Sequence, residues 1–139
     1  MFLIVDNTEE GKISFSFWLN NKFDQRIFDL QRRVSMDATR HDFVKSKNKG
    51  VLVCLEKLLS NLKLTLKDIR CLGVVVGVGR FTASRLGVTA VNTLAFSLKI
   101  PVVALAKNFN PDDALKQANL AVVGKYIVPT YSGEAHVGR

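Results

Sequence analysis

The sequence predicts an α/β domain in which helices pack on a mixed sheet of five strands. One observation is that Ile13, Phe15, Phe17 and Leu19 recur at every second position, which is typical of a strand. Another is that two short apolar runs, 72–76 and 102–105, alternate with longer stretches that have helical spacing. The predicted order is three antiparallel strands, followed by helix, strand, helix, strand and helix.

Residues 1–30 predict the three antiparallel strands. The first is the apolar run 2–5, and the second is the alternating segment 13–19. Asn20 and Asn21 then provide a pair of residues that tolerate the left-handed backbone of a tight hairpin turn. The third strand is therefore expected at 23–30.

Leucines at helical spacing predict the first helix at 51–62, and Thr65 with Asp68 predicts a short capped turn after it. Gly77 and Gly79 free the backbone for a tight turn between a strand and the next helix. That helix is expected at 81–98, capped by Thr82 or Ser84 and stopped by Pro101.

Asn110 and Pro111, followed by two aspartates, predict the start of a last, short helix that ends near residue 119. Short strands are expected after it at 120–123 and 126–130, with Gly133 in a final turn.

Composition restricts the class of protein. A chain of 139 residues with 47% hydrophobic residues is expected to form one globular domain at 1–139. No apolar run approaches the roughly 20 residues of a membrane span, and the run 2–5 is expected to be a strand and not a signal peptide. Cys54 and Cys71 are too few for a disulfide scaffold, so we expect reduced thiols in a cytoplasmic protein.

The net charge of +8 and pI near 9.8 raise the possibility of nucleic-acid binding. About half of that excess comes from 31–50, expected to be a basic loop or frayed helix start. Its basic residues are Arg32, Arg33, Arg40, Lys45, Lys47 and Lys49. They either contact phosphates or only keep the surface solvated, and no aromatic ladder accompanies them.

The segment 77–105 resembles the TsaB (YeaZ) family, an accessory subunit in making threonylcarbamoyladenosine on tRNA. The family pattern is Gly-Pro-Gly-Ser-Phe-Thr-Gly-Leu-Arg-Ile-Gly, a helix ending in Leu-Ala-Phe, and an Ile-Pro-Val-Val strand. The matching positions are Gly77, Gly79, Phe81, Thr82, Leu86, Gly87, Leu94, Ala95, Phe96, Ile100, Pro101, Val102 and Val103. The departures are Val78, Arg80, Ala83 and Ser84.

The resemblance is weaker outside this segment. Residues 1–8 look like the family's first strand, with Asn7 as an insertion, and 51–69 looks like its leucine helix and connector. Its His-Ser-Glu before that helix is missing, with His41 and Asp42 as a possible remnant. Gly133 and Glu134 resemble the start of the family's second half, so we expect a truncated second half after about 125.

This resemblance implies a single lobe of the ribonuclease-H-like fold shared by the actin and sugar-kinase superfamily. It implies a non-catalytic scaffold without a cofactor, pairing with the catalytic subunit TsaD and transiently with the ATPase TsaE. It also implies a homodimer when the chain is alone, indirect or weak contact with tRNA, and no membrane association.

The helices at 51–62 and 81–98 are the expected partner interface, since both carry more apolar and small residues than one sheet face needs. The residues expected to line it are Leu52, Leu59, Ser84, Val88 and Val91. The same helices can instead be enclosed within their own fold.

Signals for catalysis are weak. A helix N-terminus attracts anions, so a weak phosphate contact is possible at Gly79, Arg80, Phe81 and Thr82. Thr82 stands where a dinucleotide fingerprint needs its third glycine, and no phosphate-loop lysine occurs. Asp6 ends the first strand and is interpreted as a vestigial acid, because one carboxylate forms no acid–base pair.

His41 and His136 lack metal-ligand spacing, so no metal site is predicted. Two alternatives remain open at this point: a nucleotide- or sugar-binding enzyme fragment of the same superfamily, and a small tRNA-binding module that works through 31–50.

Overall fold

The computed structural model describes residues 1–29, 50–77 and 81–128, with side chains from residue 85 onward in the last range. The five strands are β1 (Phe2–Asp6), β2 (Lys12–Leu19), β3 (Lys22–Asp29), β4 (Cys71–Val75) and β5 (Val102–Leu105). The helices of these ranges are α1 (Gly50–Leu62), the 3-10 helix Leu66–Asp68, α2 (Phe81–Leu98) and α3 (Pro111–Leu120). The predicted α/β class with a mixed five-stranded sheet is confirmed.

The strands form one sheet in the order β3-β2-β1-β4-β5. The pairs β1–β2 and β2–β3 are antiparallel, whereas β1–β4 and β4–β5 are parallel. Asn20 and Asn21 adopt positive φ values of 54° and 65° in the tight turn between β2 and β3. The hairpin predicted from the two asparagines is thus confirmed, with β3 beginning one residue earlier than expected.

Side-chain alternation along β1 divides the interior into two cores. Leu3 and Val5 belong to the larger core, which holds the buried residues of α1 and α2. Phe2 and Ile4 point to the other face and join a smaller core that includes Ala114 of α3. The sheet is therefore a central layer with α1 and α2 on one face and α3 on the other.

The face of α2 that packs on the sheet was predicted wrongly. Val88 and Val91, expected at a partner interface, are 0% exposed and lie in the larger core with Ala95. Their spacing of three and four residues places all three on one helical face, and this face packs on the sheet. Leu59, expected to point outward from α1, is also buried at 5% exposure.

A row of three aromatic rings supports the β2–β3 hairpin on the side of the sheet that α3 covers. Phe2 stacks on Trp18 with 5.1 Å between ring centroids, and Trp18 contacts Phe23 at 4.7 Å. These residues stand at paired positions on β1, β2 and β3. Because aromatic cross-strand neighbours stabilise a sheet, this row fixes the register of the hairpin.

The predicted caps are confirmed. The Asn110 side chain accepts hydrogen bonds from the backbone N–H groups of Asp112 (2.9 Å) and Asp113 (3.1 Å) at the start of α3. The Asp68 carboxylate accepts from the Thr65 N–H at 2.8 Å in the 3-10 helix.

Three other local predictions fail. Thr82 and Ser84 lie inside α2, which begins at Phe81, and are not its cap. Leu120 ends α3, and residues 121–128 form no strand, so the expected strand at 120–123 is wrong. The part of the second expected strand that is described, 126–128, is also not a strand, while Gly133 lies outside the described residues.

Gly73 occupies the centre of β4, where the sheet is most crowded. A β-carbon there would lie 3.1 Å from Ile4 Cγ1, 3.3 Å from Leu105 Cδ1 and 3.4 Å from the Phe2 ring. All three neighbours belong to the smaller core, which is close-packed and has little room to move. Glycine therefore allows β1 and β5 to flank β4 with large side chains.

We expect Gly73→Ala to destabilise the protein by about 1–3 kcal/mol, since overpacking forces neighbouring side chains from their preferred rotamers. Urea unfolding followed by circular dichroism measures the change. An unchanged midpoint would contradict the close packing of Gly73.

Candidate functional site

An apolar groove of about 530 Å³ lies on the outer side of the helical layer. Its walls come from α1, from the connector after it and from α2. The lining residues are Leu52, Leu55, Glu56, Leu59, Ser60, Leu64, Thr65, Leu66 and Leu94. Such a concave apolar surface is suited to accept an apolar side chain or helix from another molecule.

The rim of the groove is exposed, whereas its floor belongs to the larger core. Leu52 is 49% exposed and Leu66 is 40% exposed. Leu55 and Leu59 are buried at the floor. A partner would therefore cover leucines that now face solvent, and the fold itself would not have to open.

A different side of α2 is covered by the chain itself. The Asn92 side-chain amide donates to the Ile127 carbonyl oxygen at 2.8 Å, and its oxygen accepts from the Ile127 N–H at 3.0 Å. The Phe96 ring, which is 69% exposed, packs edge-on against the Tyr126 ring, with 6.3 Å between the ring centroids. Residues 126 and 127 are thus held along a side of α2 that does not line the groove.

Of the residues expected at the interface, Leu52 lines the groove rim and Leu59 its floor. Val88 and Val91 are enclosed in the core and do not line the groove. The Ser84 side chain lies outside the described residues.

A second cluster lies at the carboxyl-terminal edge of the parallel strands. Lys107, just after β5, donates to Asp6 at 2.7 Å, to Thr8 Oγ1 at 3.2 Å and to Glu9 at 2.9 Å. Asp6 also accepts from the Thr8 N–H at 2.9 Å and from its hydroxyl. The side chain expected to be a vestigial acid is therefore engaged by groups of its own chain.

The pKa directions in this cluster agree with its geometry. Burial alone would lower the pKa of Lys107, but its hydrogen bonds with Asp6 and Glu9, together with their charges, raise that pKa overall. The hydrogen bond from Lys107, and then its charge, lower the pKa of Glu9. Both shifts favour the charged forms, so the cluster is an ion pair at neutral pH.

The structure describes few residues of the other predicted sites. Gly79 and Arg80 lie outside the described residues, as do 31–49, His41 and His136, while Phe81 and Thr82 are described only as helical backbone at the start of α2. Within the described ranges no group of three or more His, Cys, Asp or Glu side chains is placed to hold a metal ion.

Both cysteines are buried, and burial raises the pKa of the Cys54 and Cys71 thiols to about 11. At neutral pH they are therefore protonated and poor nucleophiles. No helix of the described part of the chain is long and apolar enough to cross a membrane.

Comparison with known proteins finds similarity over part of the chain. Over 56 residues, 40% of this chain, the sequence is 36% identical to the tRNA threonylcarbamoyladenosine biosynthesis protein TsaB of Buchnera aphidicola subsp. Schizaphis graminum (strain Sg). Over this part of its length the chain is therefore similar to a TsaB protein. Residues 44–107 also match the family model described as TsaD: tRNA N6-adenosine threonylcarbamoyltransferase.

Two solved structures have a similar fold over most of this chain. YeaZ from Pseudomonas aeruginosa superposes with a TM-score of 0.55 over 76% of this chain at 19% identity. A second P. aeruginosa structure, of a protein with similarity to peptidase YEAZ, superposes with a TM-score of 0.56 over 76% of this chain at 22% identity. This chain covers 44% and 42% of those two chains, and 27% of the Buchnera TsaB.

Sequence reasoning missed two parts of these sites. Leu64, Leu66 and Leu94 were not expected at the interface, although they line the groove. The leucines at helical spacing in α1 end at Leu62, so no helical pattern indicates Leu64 or Leu66. Lys107 was also missed, because its partners lie 98 to 101 positions away along the chain.

We expect Lys107→Met to destabilise the protein by about 0.5–1 kcal/mol at pH 7, a modest value because Lys107 and Glu9 are partly exposed and screened by solvent. The effect should fade as pH falls through the lowered pKa of Glu9, since protonation removes the ion pair in the native protein too. It should also fade as pH rises through the raised pKa of Lys107.

Urea unfolding at pH 3, 7 and 11.5 measures this difference, and Lys116→Met on α3 is the matched control. Lys116 is exposed and forms no ion pair within the described residues. Equal stability of Lys107→Met and the native protein at pH 7 would show that the cluster does not stabilise the fold.

Proposed function

We propose that this chain is a non-catalytic scaffold subunit in the formation of N6-threonylcarbamoyladenosine on tRNA. It pairs with a TsaD-type catalytic subunit through the groove between α1 and α2. The observation that carries the proposal is this open apolar groove, with Leu52 and Leu66 exposed on its rim, in a chain that is similar to a TsaB protein.

The two sequence matches support pairing between similar helical faces. The segment 44–107, which includes α1 and α2, matches a family model for TsaD, while the chain is also 36% identical over 56 residues to a TsaB. TsaB-type and TsaD-type proteins would then each present a related pair of helices. Related surfaces can pack about an approximate twofold axis, as identical ones do in a symmetric dimer.

This symmetry also accounts for the expected homodimer. When no TsaD-type partner is present, a second copy offers the same leucine-lined groove and rim. We expect the homodimer and the TsaD complex to compete for this surface. Contact with a TsaE-type ATPase is expected to be transient, with tRNA contact indirect or weak and the complex cytoplasmic.

The chemistry of the carboxyl-terminal edge supports a non-catalytic role. Asp6 accepts from Lys107 and Thr8 and has no second free carboxylate as an acid–base partner in this cluster, since Glu9 is also bound to Lys107.

We expect Leu52→Glu to weaken binding to a TsaD-type subunit from the same source at least 10-fold, because it places a charge on the apolar rim. Leu52 is 49% exposed, so the fold should tolerate the change. Surface plasmon resonance measures binding, and light scattering measures the mass of the chain alone.

The matched control is Leu120→Glu, which changes an 81% exposed leucine at the end of α3, on the other face of the sheet. It should bind TsaD like the native chain. Val88→Glu is unsuitable because Val88 is buried and the variant should unfold. Native-like binding by Leu52→Glu, or a native chain that is monomeric and does not bind TsaD, would rule out this interface.

We expect the chain to hydrolyse no ATP and to bind nucleotides weakly or not at all. Asp6 is held by Lys107, and the sequence has no phosphate-loop lysine. Isothermal titration calorimetry with ATP and Mg²⁺ tests this expectation. An affinity in the low micromolar range would favour the enzyme-fragment alternative.

A further inference from the structure

The amino-terminal edge of the parallel strands gathers several elements of the fold. Strands β1, β4 and β5 all begin there, since Phe2 pairs with Cys71 and Leu72 pairs with Val102. The turn between β2 and β3 lies at the same edge, because Phe2 also pairs with Trp18. Helices α1 and α2 lead back to β4 and β5 and therefore end there too.

The side chains contributed to this edge are mostly cationic. They are Lys22, Lys63, Lys67, Arg70 and Lys99, all exposed. None of them forms an ion pair within residues 1–29, 50–77 and 81–128. The nearby Asp68 carboxylate accepts from the Thr65 N–H and is used within the 3-10 helix. We call these five cations the basic edge.

The opposite edge of the sheet has the reverse charge. Strands β1 and β3 end there, β2 begins there, and α3 starts there after the loop from β5. Its acidic residues are Asp6, Glu9, Glu10, Asp29, Asp112 and Asp113. Its described cations include Lys12 and Lys107, the second of which is bound to Asp6 and Glu9. Charge is therefore separated along the strand direction, with unpaired positive charge concentrated at the basic edge.

Two lysines of the basic edge occupy an unusual backbone position. Lys63 and Lys99 each follow a helix and have φ values of 60° and 57°. Each lies in a terminating turn, in which Leu64 N–H donates to Leu59 O at 2.8 Å and Ile100 N–H donates to Ala95 O at 3.1 Å. Glycine is the usual residue at this position, because a β-carbon is strained there.

Helix ends attract cations, so the two lysines also compensate the negative carboxyl ends of α1 and α2. That role does not account for Lys67, Arg70 or Lys22, which do not follow a long helix. All five charges share one edge. Four strand intervals of about 4.8 Å separate β3 from β5, so this edge is roughly 19 Å wide.

We propose that the basic edge is a contact surface for the phosphate backbone of structured RNA. Exposed, unpaired lysine and arginine side chains on separate rigid elements bind successive phosphates without reading bases. The choice of tRNA as the RNA rests on the proposed function. None of its five residues belongs to the basic segment 31–49.

The test measures binding of an unmodified tRNA transcript to the full chain by fluorescence anisotropy at several salt concentrations. The variant, called the edge variant, combines Lys63→Gly, Lys67→Gln, Arg70→Gln and Lys99→Gly. We expect at least 10-fold weaker binding at low salt. We also expect the slope of log affinity against log salt to become shallower by about 2 or more, since each lost phosphate contact removes about 0.9 or less.

The matched control also removes four exposed cations, here all lysines, through Lys12→Gln, Lys57→Gln, Lys116→Gln and Lys125→Gln. It has the same net charge as the edge variant but keeps the basic edge, so we expect it to bind tRNA within about threefold of the native chain. An equal loss in both variants would show that only net charge matters and would overturn the proposal.

The two glycine substitutions separate RNA binding from a structural role. Glycine relieves the strain at positive φ, so Lys63→Gly and Lys99→Gly together should keep or raise the melting temperature while RNA binding falls. A lowered melting temperature with unchanged RNA binding would assign the lysines to the helix ends alone and overturn the proposal.

Other outcomes also overturn it. They are a native chain that binds no tRNA, binding lost only when the basic residues of 31–49 are replaced by alanine, and binding to phosphatidylserine vesicles without binding to tRNA. The proposed pairing with TsaD is measured separately on the edge variant. If the edge variant still binds TsaD but no longer binds tRNA, the loss is due to the basic edge and the proposed function is unaffected. If the native chain does not bind TsaD, the proposed function fails, but the measured effect of the basic edge on tRNA binding still stands.

Discussion

The double burial of β1 is the constraint on which the rest of the structure depends. β1 lies in the middle of the sheet, with β2 on one side and β4 on the other. Its alternate side chains enter two different cores, Leu3 with the helices α1 and α2, and Ile4 with α3. A shift of one residue in its register would exchange these two sets of side chains. The positions of all three helices therefore follow from the alignment of β1.

The strands and caps were predictable because their signals are local. Asn20 and Asn21 specify a turn, and Asn110 specifies a helix start, whatever the rest of the chain does. The face of α2 was not predictable, because small and apolar residues occur all around this helix. Contact with the sheet decides the face: a β-carbon at Gly87 would lie 3.2 Å from Asn7 Cβ, so this side of α2 approaches β1 closely and carries Val88 into the core.

The candidate sites were less predictable than the fold, because they join residues that are distant in sequence. Asp6 was recognised at the end of its strand, but its partner Lys107 is 101 residues away. The two meet because β4 lies between β1 and β5 in a parallel arrangement, which places the ends of both strands at one edge. The groove likewise needs Leu94 of α2 beside Leu66 of the connector, and no periodic pattern connects these positions.

The proposed partner surface and the basic edge use different parts of the same helices. The groove uses the outer sides of α1 and α2, whereas the basic edge uses their carboxyl ends and the strand starts. The connector joins them, since Thr65 and Leu66 line the groove and Lys67 follows directly at the edge. A protein seated in the groove would therefore lie beside the basic edge without covering its whole width. If both proposals hold, one small domain contacts a protein partner and a phosphate backbone next to each other.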